Sequence, residues 1–198
     1  MGVTIQYRLR SSVPEPKQAR ALVARLRNHA LTLPFEQVEE IIELTGSDCD
    51  FQQHDDRYPH CWLLIQTRQL VTDPREPARH YSVIPEHVIA FCCVPGPGCE
   101  PANFGLSRYP PTIEVEPWMP RTIHTNLGCW HWASFCKTEY ASRGRYGGHA
   151  NFRRCHTAIV DLLQYAQSLG ILHQVHDEAG CWDNRQIVAE ALGLACVT

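Results

Sequence analysis

Between Phe152 and Ser168, apolar residues recur on one helical face: Phe152, Cys155, His156, Ile159, Leu162, Leu163 and Ala166, with Gly170 as a stop signal. Such a helix draws most of its stability from laying that stripe on another layer. The flanking segments read as that layer. Residues 171–176 (ILHQVH) form a strand after the stop, and 129–140 (CWHWASFCKTEY) a long aromatic strand before it. Strand alternation puts Cys129, His131, Ala133, Phe135, Lys137 and Glu139 on one face and Trp130, Trp132, Ser134, Cys136, Thr138 and Tyr140 on the other, the two tryptophans marking the core side.

The rest of the chain repeats the theme. Residues 3–10 (VTIQYRLR) alternate as a strand, and Pro14 and Pro16 break the chain after it. Residues 17–31 carry Leu22, Val23, Leu26 and Ala30 at helical spacing, and Pro34 ends that helix. Residues 36–45 fit a helix or a strand; the strand is preferred, because a β-α-β opening then forms. Residues 61–67 (CWLLIQT) read as a buried strand, 80–94 as a strand pair or one strand broken at Pro85, and 87–94 (HVIAFCCV) as central in the sheet. The expected loops are 47–60, 72–79, a Pro/Gly loop at 95–105, 110–122 with a short IEVE strand, and 142–150. Asn151 then reads as an N-cap and 184–193 as a last helix. The expected architecture is one α/β or α+β domain over residues 1–198, a mixed sheet of about five to seven strands covered by two or three helices.

Composition narrows the function classes. With a net charge of -3 and no long Lys/Arg run, phosphate neutralisation is disfavoured and no nucleic-acid partner is expected. The longest apolar runs fall well short of the roughly 18 residues of a membrane span, and the first ten residues lack a signal core. A cytoplasmic chain without membrane contact is the expectation. Its ten cysteines are then mostly reduced thiols, several of them small core hydrophobes. Protonating half of the eleven histidines would reverse the net charge, so the surface potential should depend on pH.

Sequence-local signatures of common chemistries are missing. There is no Gly-x-Ser-x-Gly elbow, no Gly-x4-Gly-Lys phosphate loop, no Cys-x2-Cys and no His-Glu-x2-His; Gly96-x-Gly98 lacks the third glycine of a dinucleotide turn. The loop at 95–105 is the main candidate site, because ligands gather beyond the carboxyl ends of strands and glycine lets backbone come close. Cys99, Glu100 and Asn103 offer a nucleophile, a general base and an oxyanion donor there. His156 on its apolar stripe is either a core histidine or a base toward a cysteine such as Cys99. Asp177 and Glu178 bind a metal, work as acid and base, or favour a following helix. Lys137 and Glu139 form a surface ion pair or line a pocket, and Trp182 and Arg185 are candidate ligand contacts. His54, His60 and Cys61 are the most clustered metal donors, and imidazole with thiolate favours zinc.

Two segments, Gly98–Leu106 followed by Arg108-Tyr109-Pro110, and Ser134–Ser142, together with Asn151-Phe152, Cys155-His156 and Asp177-Glu178, resemble a group of uncharacterised bacterial proteins of similar length. The resemblance implies a bacterial, cytoplasmic, single-domain protein and no particular chemistry. The first functional expectation is an enzyme, a hydrolase or transferase, acting on a small molecule or peptide. Its catalytic residues are Cys99, Glu100, His156, Asp177 and Glu178, and its substrate contacts are Asn103, Arg108, Lys137, Glu139, Asn151, Trp182 and Arg185. The alternatives are a module binding a protein partner through the aromatics and prolines of 108–120, and a zinc-binding metalloprotein whose ligands the sequence leaves unknown.

Overall fold

The computed structural model describes residues 3–51, 60 and 62–183. In chain order the elements are β1 (Thr4–Ser11), α1 (Pro16–Ala30), β2 (Gln37–Val38), β3 (Ile42–Thr45), α2 (Leu63–Thr67), β4 (Gln69–Thr72), β5 (His80–Val83), β6 (His87–Val94), β7 (Ala102–Arg108), β8 (Thr112–Val115), β9 (Arg121–His124), β10 (Trp130–Lys137), α3 (Gly148–Ser168) and β11 (Leu172–Asp177). Seven strands make the main sheet in the order β11-β1-β10-β7-β6-β2, with β3 also on β6. Its ladders are all antiparallel among the described residues, so of the two expected classes α+β is realised. The order β11-β1-β10-β7, with α1 after β1 and α3 before β11, is that of a split β-α-β unit.

Both long helices lie on one face of this sheet. His29 of α1 stacks on Tyr165 of α3, their ring centroids 4.1 Å apart. Under them, Ile5, Tyr7 and Leu9 of β1 alternate with the exposed Gln6, Arg8 and Arg10, and Trp130, Trp132 and Cys136 of β10 are buried in the same way. Trp132 Nε1 and Tyr7 Oη both donate to the carbonyl of Asn103, at 2.8 Å, and Trp130 Nε1 donates to the Val13 carbonyl at 3.1 Å, so these three polar-tipped core rings are satisfied. α3 contributes Cys155, Ile159, Leu162, Leu163 and Ala166, the stripe visible in the sequence.

Several segments differ from expectation. The strand expected at 61–67 is not formed over its described part: Leu63–Thr67 is a short helix, with Thr67 Oγ1 donating to the Leu63 carbonyl at 2.7 Å. A short apolar run has no period long enough to separate the two states. The loop after β6 ends at residue 101, since Ala102–Arg108 pairs with β6 along its length; Gly105 sits where a Cβ would come within 2.5 Å of the Ile89 carbonyl. Asn151 is not the N-cap. Gly147 and Gly148, at φ of 101° and 66°, start the helix earlier. Residues 36–45 hold β2 and β3, β2 running in the same direction as β1 at the far edge of the sheet. The last helix expected at 184–193 lies outside the described residues. No helix among the described residues is long and apolar enough to cross a membrane.

Two hairpins, β4-β5 and β8-β9, pack on each other through Val71, Val83, Val115 and Ile123. Asp73 clasps them. Both its oxygens receive the Arg121 guanidinium, Arg75 N–H donates to it at 2.8 Å, and Tyr81 donates from 3.3 Å. Arg121 and these donors hold the Asp73 carboxyl well below the usual range, against the cost of burial. That contribution is present above the unfolded value of about 3.9 and fades as pH falls toward the folded one. Asp73→Asn should therefore speed hydrogen exchange of the β4, β5, β8 and β9 amides at neutral pH and leave the main sheet protected. The stability difference from wild type, read by urea unfolding, should shrink below about pH 4.

Candidate functional site

Strands β6, β10 and β11 share one direction, because each is separated from the next by one antiparallel neighbour. Their carboxyl ends reach the same sheet edge. The turn after β6 delivers Cys99 and Glu100; the two 3-10 turns after β10 (Glu139–Ser142 and Gly144–Tyr146) deliver Tyr140, Arg143, Arg145 and Tyr146; the turn after β11 delivers Cys181. α3 starts at that edge as well. The expected gathering of candidate groups beyond strand ends follows from this topology.

The β6–β7 turn is pressed onto α3. Asn151 Nδ2 donates to the Pro97 carbonyl at 2.9 Å, and Arg154 Nη1 donates to the carbonyls of Pro34 (2.6 Å) and Pro95 (3.1 Å). The two turn glycines permit the approach. A Cβ on Gly96 would meet the Cys155 sulfur at 2.9 Å, and one on Gly98 would meet Ala141 N and Tyr140 C at 2.8 Å. Their freedom thus serves contact with the chain itself, and Gly98 also borders the pocket beside Cys99.

This docking brings two thiols together. Cys155, fully buried on α3, and Cys99, half-buried in the turn, interact, each thiol shifting the other's titration. The bond from Cys99 lowers the Cys155 thiol, and the Arg154 guanidinium, with Nη2 3.3 Å from the sulfur, outweighs burial together with it. Cys99 is raised correspondingly by its bond to Cys155 and by burial. When Cys155 carries the proton, the Pro95 carbonyl at 3.3 Å accepts it. Among the described residues, the Arg154 head meets carbonyls, the Asn151 amide oxygen (2.9 Å) and this sulfur, and no carboxylate.

Outside the pair, Cys99 and Glu100 border an open pocket of about 410 Å³, walled by Tyr140, Arg143, Arg145 and Tyr146. Arg143 lies over the Tyr140 ring at 4.2 Å and Arg145 over the Tyr146 ring at 4.6 Å. Stacking of this kind fixes two otherwise floppy cations at the pocket wall. A groove of about 480 Å³ on the open sheet face is lined by Arg8, Ile65, Phe135, Lys137 and His176, with no cysteine among its lining residues.

His156 sits next to the pair in sequence but is engaged elsewhere. Its Nδ1 is 3.0 Å from Thr138 Oγ1 and its Nε2 3.2 Å from the Asp177 carboxylate, and the ring is 1% exposed. Burial would raise the Asp177 carboxyl, but the His156 hydrogen bond and charge and the N–H groups of Ala179 (2.9 Å) and Trp182 (3.0 Å) lower it overall. With both nitrogens occupied, His156 is no base for Cys99. Phe152 separates the two groups: its ring stacks on His156 with centroids 5.1 Å apart, and Cys99 packs in its cluster.

The other expected residues fall as follows. Glu100 is 3.5 Å from Lys137, so it is a paired surface carboxylate. Lys137 ends β10, whereas Glu139 lies past it in a 3-10 turn; the expected Lys137–Glu139 pairing is replaced by Lys137–Glu100. Asn103 is buried in β7, cross-strand from Cys92, so it is not an oxyanion donor in the loop. Arg108 bonds the Pro14 carbonyl at the opposite end of β7, roughly 20 Å along the strand from Ala102. Glu178 accepts the Thr4 N–H at 2.9 Å and ties β11 to β1. Trp182 meets Asp177 through its backbone and packs against the core, while Arg185, His54 and Cys61 lie outside the described residues. Sequence reasoning missed Arg154, Thr138 and Cys181 as partners and did not pair Cys155 with Cys99. The adjacency Arg154-Cys155, a cation before a cysteine on an apolar stripe, was the available signal.

Comparison of the chain with models of known families, with curated proteins and with solved structures finds no match. Gly98→Ala tests the docking directly. The left-handed φ of 79° and the backbone contacts at 2.8 Å should cost about 1–3 kcal/mol in urea unfolding and expose Cys155 to alkylation.

Proposed function

We propose that the chain is a thiol-dependent enzyme that exchanges disulfides with a small anionic molecule, Cys99 being the attacking sulfur and Cys155 its partner. The observation that carries this reading is the docking of the Gly96–Gly98 turn on α3, which sets one sulfur, Cys99, at a cationic pocket and the other, Cys155, buried against Arg154. Reactive thiols sit in electropositive, partly exposed surroundings of this kind. Hydrolysis or acyl transfer is less well supported, because His156 is engaged by Thr138 and Asp177 and Asn103 lies within β7, so neither expected partner of Cys99 serves it.

The steps follow from the proton the two sulfurs share. At rest Cys155 is the sulfur favoured as thiolate and Cys99 holds the proton; when that proton passes to Cys155, whose Sγ faces the Pro95 carbonyl, Cys99 becomes the thiolate. It attacks one sulfur of the incoming disulfide, and the other leaves as a thiolate that takes the Cys155 proton. Cys155, now a thiolate beside Arg154, attacks Cys99 Sγ and expels the second substrate sulfur, which is protonated by solvent. The substrate disulfide is reduced to two thiols and the Cys99–Cys155 bond is formed. Arg143 and Arg145 would hold the acidic group of the substrate.

Alkylation rates test the reading. Iodoacetate should label Cys99 of the folded protein on the order of tenfold faster, relative to iodoacetamide, than it labels a free thiol, because its carboxylate finds the two arginines. Cys155→Ala should slow both reagents at Cys99, and the double substitution Arg143→Ala, Arg145→Ala should abolish only the preference for iodoacetate. Rates at Cys99 equal to those of glutathione and indifferent to Cys155→Ala would overturn it.

A further inference from the structure

A second cluster stands beyond Phe152, independent of the thiol pair. The ligand atoms of His156, Asp177 and Cys181 all lie within 4.8 Å of one another. From these residues we infer a site for a borderline-soft divalent ion, zinc above all, held by one imidazole, one carboxylate and one thiolate. This donor set discriminates among ions. Magnesium and calcium take oxygen ligands, whereas nitrogen with sulfur selects zinc and its neighbours.

The arrangement around the three donors is that of a built site. Thr138 Oγ1 at His156 Nδ1 fixes the ring so that Nε2 faces the carboxylate at 3.2 Å. Metal-binding histidines are oriented through their second nitrogen in the same way. The carboxylate is set by two amides, Ala179 N–H donating to Oδ1 and Trp182 N–H to Oδ2, the oxygen that also faces the imidazole. The turn that brings Cys181 back beside it depends on Gly180, at φ 67°, whose N–H donates to the Asp177 carbonyl at 3.0 Å. His156 and Asp177 are buried, and Cys181 is partly exposed, which leaves an entry path from solvent. The ion takes the place of the Nε2 proton and the Cys181 proton, both of which are released. Three protein donors match the count of catalytic zinc centres, whose fourth position is water or substrate.

Cobalt titration of chelator-treated full-length protein tests the site. Thiolate-to-cobalt charge-transfer absorption should grow to one equivalent and be displaced by zinc, not by magnesium. Cys181→Ser should remove the band while circular dichroism stays native, and Cys99→Ser and Cys155→Ser should retain it. Thr138→Val, a positioning change, should weaken zinc binding by about 10–100-fold and leave the stoichiometry at one. Absence of the band in the wild type overturns the site. So does a band that survives Cys181→Ser, or one that vanishes with Cys99→Ser and so belongs to the thiol pair. Because the disulfide-exchange reading involves neither Asp177 nor Cys181, these outcomes leave it standing.

Discussion

The guanidinium of Arg154 organises the sheet edge on which every functional argument rests. It reaches the carbonyls of Pro34, after α1, and Pro95, after β6, while its own helix lies across the sheet. Three separate chain segments are thereby tied at one point. The charge is partly withdrawn from water among neutral acceptors, so an adjacent negative charge is favourable there. The Cys155 sulfur is that neighbour. A contact that serves packing thus also settles which of two touching thiols carries charge.

The two candidate centres share a frame but differ in character. Cys99 and Cys155 are two soft nucleophiles that shift one another's titration, Cys99 bordering a cationic pocket. His156 with Asp177 and Thr138 is a satisfied polar chain in the core, the kind of network that is costly when half made and rigid when complete. Phe152 touches both, stacked on the imidazole and packed with Cys99 and Cys181. The other described thiols explain the cysteine content more plainly. Burial pushes Cys49 up to about 11 and Cys92 up to about 12, and Cys93 and Cys136 higher still, so these act as small apolar residues.

How far the amino-acid pattern reached can be judged element by element. The stripe of α3 and the alternation of β1 and β10 were legible because each runs for two or more full periods against one core face. α2 was not, since five residues hold little more than one turn. The start of β7 was hidden because Ala102-Asn103-Phe104-Gly105 has turn composition, and only cross-strand pairing with Cys93 through Ala90 makes it a strand. At the site, Cys99 was legible from its place after the most apolar strand. The partner relations were not, because Cys99 meets Cys155 and His156 meets Thr138 and Asp177 through tertiary docking that leaves no spacing rule. The sequence leaves the imidazole open between a core residue and a base, because the hydrogen bonds that decide it come from residues 18 and 21 positions away.

The central claim is that Cys99 and Cys155 react as a unit. Peptide mapping by mass spectrometry after incubation of the reduced protein with oxidised glutathione measures this most directly. The account predicts an internal Cys99–Cys155 disulfide and two glutathione thiols released per chain. A lasting glutathione adduct on Cys99 with Cys155 still reduced, or no reaction at either sulfur, would contradict it.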